Sequence, residues 1–197
     1  MKLPFLSYGH LILTQPCKEV DTDDPGLDQL IDDMWETLYA ANGVGLAAPQ
    51  IDRSLQLFIV DSEQTYQAMD EEDREEYFRG DYGIRETFIN ARITERSDNL
   101  WTDTEGCLSI PTVSVDVQRP WSITIEYLDG DLQMKKQTFW GATARMIQHE
   151  FDHTQGILFL DYLSSFKRTM LKRQLAEIAA GDVHPKYLMK FPVPETN

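Results

Sequence analysis

Apolar residues recur along this chain with two periods, and the periods lay out its elements. Leu27, Leu30, Ile31, Met34 and Leu38 follow at spacings of 3, 1, 3 and 4, which is one face of a helix. Asp24 suits its N-cap, Pro25 its first position and Gly43 the residue past its end, so a helix is expected from Asp24 to Gly43. The run Leu55 to Val60 (LQLFIV) is short, apolar and partly β-branched, as a buried strand is. Strand-like runs return at Thr87–Asn90, Val113–Val117 and Trp121–Tyr127. The last meets Asp129-Gly130, a turn signal, before a return through Gln133 to Phe139, so an antiparallel hairpin is expected there. Helical segments follow from Ala142 to about Gln155 and from Asp161 to about Ala180, the second stopping near Gly181. Strands first and helices last predict an α+β fold, with antiparallel or mixed sheets packed around the helix that begins at Ala142, and with a C-terminal helix.

Composition narrows the class. The chain has 197 residues, 42% hydrophobic and 26% charged, which suits one folded domain spanning 1–197 and excludes a disordered or disulfide-dense chain. Its formal net charge of −15 opposes broad contact with DNA or an anionic membrane. No apolar run has the length of a spanning helix, and MKLPFLSYGH lacks a secretory signal pattern, so the cytoplasm is the expected location. Between Asp61 and Asp81 nine acidic residues face only Arg74 and Arg79, an excess of seven negative charges. This stretch reads as an insertion over about 61–86, a solvated surface excursion, with steering of a substrate or partner as the alternative. Cys17 and Cys107 are too few for a disulfide framework, and Cys17 reads as a small buried hydrophobe.

The chemistry concentrates in Gln148-His149-Glu150-Phe151-Asp152-His153, an H-E-x-x-H sequence. Residues four apart on a helix lie about 40° apart around it, so His149 and His153 point the same way and can share a metal. Trp140, Ala144, Ile147 and Phe151 supply an apolar stripe for the other side. A pair of core histidines bonded to carbonyls is the alternative without a metal. A catalytic metal needs a third protein ligand. Phe159 stands where one class of zinc proteases places a third histidine, and Glu177 is the downstream carboxylate that another class would use. The remaining donor is Cys107, in Glu105-Gly106-Cys107-Leu108-Ser109-Ile110-Pro111, where Gly106 permits an unusual backbone and neither helix nor plain strand is expected. A thiolate with two imidazoles favours Fe(II), Zn or Ni over Mg or Ca. Gly43-Val44-Gly45-Leu46-Ala47-Ala48-Pro49-Gln50 allows close approach of backbone to a ligand and ends in an amide able to donate to an anionic oxygen.

Taken together, GVGLAAPQ at 43–50, EGCLS at 105–109 and QHEFDH at 148–153 resemble the three signature motifs of the peptide deformylases. That resemblance implies a hydrolase that removes the formyl group from the N-terminal formyl-methionine of newly made chains and releases formate. It implies one divalent metal, natively Fe(II) with Zn, Ni or Co as substitutes, held by Cys107, His149 and His153, with bound water attacking the formyl carbon. Glu150 would be general base and acid, and Gln50 with the Leu108 N–H would stabilise the oxyanion. Val44, Gly45 and Gly106 would bind the peptide main chain. Apart from the resemblance, Arg119 reads either as a partner of Glu105 that fixes the loop carrying the thiolate or as a surface residue. From Ser164 to Asn197 six basic residues face three acidic ones, and in some relatives such a helix docks near the ribosomal exit tunnel. Departures from the resemblance are Leu11, where many relatives carry proline, the acidic insertion, and Asp103-Thr104 beside the cleft. An endopeptidase using Glu177 and an inactive metal-binding or ribosome-associated module are the competing readings.

Overall fold

The computed structural model describes residues 1–192. In chain order these form β1 (Phe5–Leu6), α1 (Leu27–Ala40), β2 (Gly45–Ala47), β3 (Leu57–Asp61), α2 (Glu63–Ala68), α3 (Glu71–Tyr77), β4 (Arg85–Arg96), β5 (Leu100–Cys107), β6 (Ile110–Pro120), β7 (Ser122–Leu128), β8 (Met134–Trp140), α4 (Gly141–Thr154), α5 (Ser165–Ala180) and β9 (Met189–Lys190). β2, β3, β4, β7 and β8 make one antiparallel sheet in that spatial order, β5 and β6 a separate hairpin, and β1 pairs in parallel with β9. The fold is α+β.

Period-two alternation explains why β3 is apolar throughout. Leu57 and Ile59 join the cluster of α1 residues Ile31, Met34 and Leu38, whereas Phe58 and Val60 face the opposite cluster with Ala144 and Ile147 of α4. A strand covered on both faces has no position left for a polar residue. The α4 side is centred on Phe88, stacked on Phe58 at 4.7 Å and packed on Tyr127 at 4.3 Å and Phe139 at 6.2 Å. A third cluster joins Ile110, Val113 and Val117 of β6 to Leu175 and Ile178 of α5.

Several expected boundaries move. α1 starts at Leu27 because the Asp24 carboxylate accepts from the Gly26 N–H at 2.8 Å, which forms a turn before the helix rather than a cap on it. At its other end Asn42, at φ 53°, takes the left-handed position expected of Gly43. Gly43 is needed for space, since a Cβ there would lie 2.6 Å from Leu38 and 2.8 Å from Leu108. The C-terminal helix begins at Ser165, not Asp161, with the Ser164 hydroxyl capping the Lys167 N–H at 3.3 Å. The Asp129-Gly130 hairpin forms with a longer turn than two residues, in which Asp129 accepts from the Asp131 and Gln133 N–H groups.

The charges of the acidic insertion lie in water, with Glu63, Asp70, Glu71, Glu72, Asp73, Glu75 and Glu76 exposed, but its backbone is ordered. It folds into α2 and α3, the second capped by Asp70 on the Asp73 N–H at 2.9 Å. It docks through Trp140 Nε1 donating to the Phe78 carbonyl at 2.9 Å and through Ser62 and Thr143, whose hydroxyls lie 2.9 Å apart. Gly141 opens α4 at φ +58°, and a Cβ there would meet the Tyr77 carbonyl oxygen, so only glycine lets the insertion sit this close. Truncating Phe88 to alanine removes the centre of the aromatic cluster and is expected to cost about 3–5 kcal/mol in equilibrium urea unfolding; a loss below about 1 kcal/mol would contradict this packing.

Candidate active site

Two elements meet at the centre of the molecule. α4 carries His149 and His153 one turn apart, their rings 5.0 Å between centroids and nearly perpendicular. The β5–β6 hairpin carries Cys107 at its tip, opposite Ile110. β5 runs through Gly106 to Cys107, Leu108 and Ser109 form the turn, and β6 resumes at Ile110 after a break in register, so the segment is neither helix nor plain strand. Gly106 has no left-handed backbone; the irregularity falls on β6, where Thr112 at φ 68° marks a bulge. The Cys107 Sγ lies 3.3 Å from His153 Nε2, and donor atoms of Cys107, His149 and His153 all lie within 4.8 Å of one another.

Whether this triangle fits a cation is tested by its surroundings. His149 Nδ1 faces Glu105 Oε2 at 3.0 Å, which fixes the ring so that Nε2 turns to the sulfur. Glu105 in turn takes Arg119 on both oxygens, at 2.6 and 3.0 Å, and Arg145 at 2.5 Å. Arg119 also reaches Asp152 at 2.7 Å, and Tyr162 donates to the same Asp152 oxygen at 2.8 Å. Glu105, Arg119, Arg145 and Asp152 are all buried, so two carboxylates and two guanidiniums balance out of water. Burial pushes the Glu105 carboxyl up, but the hydrogen bonds from His149 and Arg119 outweigh it and hold the pKa well below the usual carboxylate range. Burial also works against charge on both imidazoles. For His149 the bonds to Cys107 and Glu105 prevail and raise its pKa, whereas for His153 burial and the neighbouring His149 lower it. One thiolate and two oriented imidazoles therefore suit a borderline divalent ion.

Glu150, between the two histidines in sequence, is buried, and its Oε2 has no hydrogen-bond partner among the described residues. Burial, the largest influence, pushes its carboxyl up to about 7. β2 packs directly on it, since a Cβ on Gly45 would lie 2.4 Å from Glu150 Oε1. Gln50 is buried and oriented: its Oε1 accepts from the Ala47 N–H at 2.8 Å while its Nε2 faces Cys107 Sγ at 3.4 Å and Ser109 Oγ at 3.3 Å. Leu108 occupies the hairpin tip, its carbonyl accepting from the Tyr187 hydroxyl at 2.8 Å.

Val44, Gly45, Gln50, Gly106, Cys107, Leu108, His149 and Glu150 all line one cleft of about 780 Å³, and His153 lies buried behind them. Phe159 stacks on the His149 ring at 5.9 Å, and Glu177 pairs with Arg173 on the surface of α5 at 2.9 Å, so neither completes a protease site. Glu105 does pair with Arg119. The motifs did not point to Arg145, Asp152 or Tyr187. A charged residue in the run Ala142-Thr143-Ala144-Arg145-Met146-Ile147, one turn before His149, was the available signal for Arg145. Cys17 is buried, as a small hydrophobe.

Comparison with known proteins bears on the whole chain. The profile described as Polypeptide deformylase matches residues 2–169. The peptide deformylase of Christiangramia forsetii is 44% identical over 98% of this chain and 97% of its own length. The crystal structure of peptide deformylase from Ehrlichia chaffeensis superposes with a TM-score of 0.79 at 30% identity, covering 92% of this chain and 99% of that one. A peptide deformylase structure from Legionella pneumophila gives 0.76 at 34% identity, covering 92% and 98%. The chain belongs to the polypeptide deformylase family, metal-dependent hydrolases that remove the N-formyl group from nascent peptides.

Proposed function

We propose that Cys107, His149 and His153 hold one divalent cation, natively Fe(II) with Zn, Ni or Co as substitutes, and that Glu150, Gln50 and Leu108 carry the hydrolysis of the formyl-methionyl amide. The reading rests above all on one observation, the sulfur of a distant hairpin 3.3 Å from an imidazole nitrogen of the H-E-x-x-H helix. A cation bound there supplies Lewis acidity, which polarises a carbonyl oxygen and lowers the pKa of water.

The chain's own groups then divide the work. Glu150 takes a proton from the attacking water as the new C–O bond forms, and returns it to the amine nitrogen as the C–N bond breaks and formate leaves. Its unpartnered oxygen suits that task, and a carboxyl whose pKa burial raises towards neutrality can both accept and give. Oxygen on the tetrahedral carbon gathers charge, and donors already aimed at it lower the barrier without reorganising. Gln50, clamped by the Ala47 N–H, is one such donor, and the Leu108 N–H at the hairpin tip is the other. Val44, Gly45 and Gly106 let the peptide main chain lie close to the cleft wall. Glu105 keeps the His149 ring oriented, and Arg119 keeps Glu105 ionised. We place the reaction in the cytoplasm on chains leaving the ribosome, where exposed Lys167, Lys172 and Arg173 of α5 suit an anionic surface.

Protein purified without oxygen and loaded with Fe(II), Ni or Co is expected to release formate from formyl-Met-Ala-Ser. No formate with any of these ions would contradict the proposal and favour a binding module. Glu150→Gln is expected to keep its metal by elemental analysis while turnover drops by roughly 10²- to 10⁴-fold; an empty site in that variant would make Glu150 structural. Arg119→Met removes the guanidinium shared by two buried carboxylates, leaving Glu105 to Arg145 and His149 and Asp152 to Tyr162, so it is expected to cost roughly 3–5 kcal/mol in thermal or urea unfolding and to lower metal content. Unchanged stability would mean that the ion network contributes nothing.

A further inference from the structure

The turn between β5 and β6 carries the Leu108 N–H next to the Cys107 sulfur, yet its own conformation does little to hold it. A two-residue hairpin loop is favoured in mirror-image turns, which need positive φ. Leu108 and Ser109 both have negative φ, and the strands leave register beside them. Support comes from outside the hairpin. The Tyr187 hydroxyl donates to the Leu108 carbonyl at 2.8 Å, and the Tyr8 N–H donates to the Ser109 carbonyl at 2.8 Å. Tyr8 follows β1 and Tyr187 precedes β9, and those two strands pair in parallel. Across that pairing the Phe5 N–H donates to the Leu188 carbonyl at 2.9 Å and the Ser7 N–H to the Lys190 carbonyl at 3.0 Å. The half-buried Tyr187 ring packs edge-on against Phe5, with centroids 5.3 Å apart, and lines the same cleft as Gln50 and Glu150. β1 and β9 thus form one small sheet whose flanking residues grip both carbonyls of the turn.

We propose that Tyr187 is a positioning residue for the reaction: by holding the Leu108 carbonyl, its hydroxyl keeps the Leu108 N–H aimed at the oxygen of the tetrahedral carbon. This rests on the reading of that N–H as an oxyanion donor. The carbonyl and the N–H of one residue are joined through a single Cα, so a carbonyl fixed by a packed ring restricts the N–H beside it. Tyrosine suits the task, since its rigid ring has only two side-chain torsions to immobilise. Without the bond, a turn of unfavoured type can rotate about its backbone torsions, and a misaimed donor stabilises the oxyanion less. Removing such a donor outright costs roughly 10²- to 10³-fold in kcat, so loosening one is expected to cost a part of that, roughly five- to thirtyfold.

The test is Tyr187→Phe, which keeps the ring and removes the donor. For formate release from formyl-Met-Ala-Ser, kcat is expected to fall roughly five- to thirtyfold while KM stays within about twofold, as for an interaction made only in the transition state. Metal content and the metal's nitrogen and sulfur neighbours, read by X-ray absorption, should not change, and the thermal midpoint should move by no more than about 4 °C. In isotope-labelled, zinc-loaded protein the Leu108 amide resonance should shift or broaden while those of β7 stay in place. Tyr187→Leu, which also removes the packing on Phe5, is expected to show the same loss in kcat together with a larger fall in thermal stability. An unchanged kcat in Tyr187→Phe, a loss confined to KM, an unmoved Leu108 resonance, or a loss that appears only in Tyr187→Leu would each overturn the proposal. An altered metal shell in Tyr187→Phe would also overturn it, because the hydroxyl would then act on Cys107. Absence of formate from the wild type would instead overturn the deformylase reading beneath it.

Discussion

The buried carboxylate of Glu105 holds the molecule's two chemical halves together. It lies two residues before Cys107 on β5, yet it bonds to Arg145 and His149 on α4 and to Arg119 on β6. Taking such a group out of water costs several kcal/mol unless every lone pair is met, so this carboxylate is stable only where the hairpin and the helix are in register. The same contact that satisfies the charge sets the distance between a sulfur and two ring nitrogens. Packing alone, through Ile110, Val113 and Val117, brings the hairpin to the right neighbourhood, but apolar contact is not directional.

Around that pin the fold arranges supports of different stiffness. The five-stranded sheet holds α4 from below through a strand apolar on both faces. β2 sits against Glu150 with no side chain between them, and its continuation fixes the Gln50 amide by a backbone bond. Chemistry is thus assembled from parts whose backbone positions are set by hydrogen bonding and packing on rigid elements. α2 and α3 add Thr65, Asp73 and Tyr77 to the wall of the same cleft.

Much of this was legible in the sequence, because it follows from local periodicity. The stripe of α1, the two-sided apolar run of β3 and the one-face placement of His149 and His153 depend on nothing but the repeat of helix or strand. Cys107 could be nominated as a third donor by elimination among Cys and carboxylate candidates, and the three joint motifs pointed to the family. What local rules could not supply was long-range pairing. Nothing near Arg145 or Asp152 reveals that they meet Glu105 and Arg119 from distant elements. The docking of the insertion escapes for a related reason: its charge pattern describes the face that is exposed, while the residues that dock it, Tyr77, Phe78 and Ser62, look unremarkable until Trp101, Trp140 and Thr143 are beside them.

The account depends most on sulfur and imidazole sharing one ion, and X-ray absorption at the metal edge of the Ni- or Fe-loaded protein addresses this directly. One sulfur neighbour at about 2.3 Å, with nitrogen neighbours at about 2.0–2.1 Å, is the expected first shell. A shell of nitrogen and oxygen alone, with no sulfur, would contradict it.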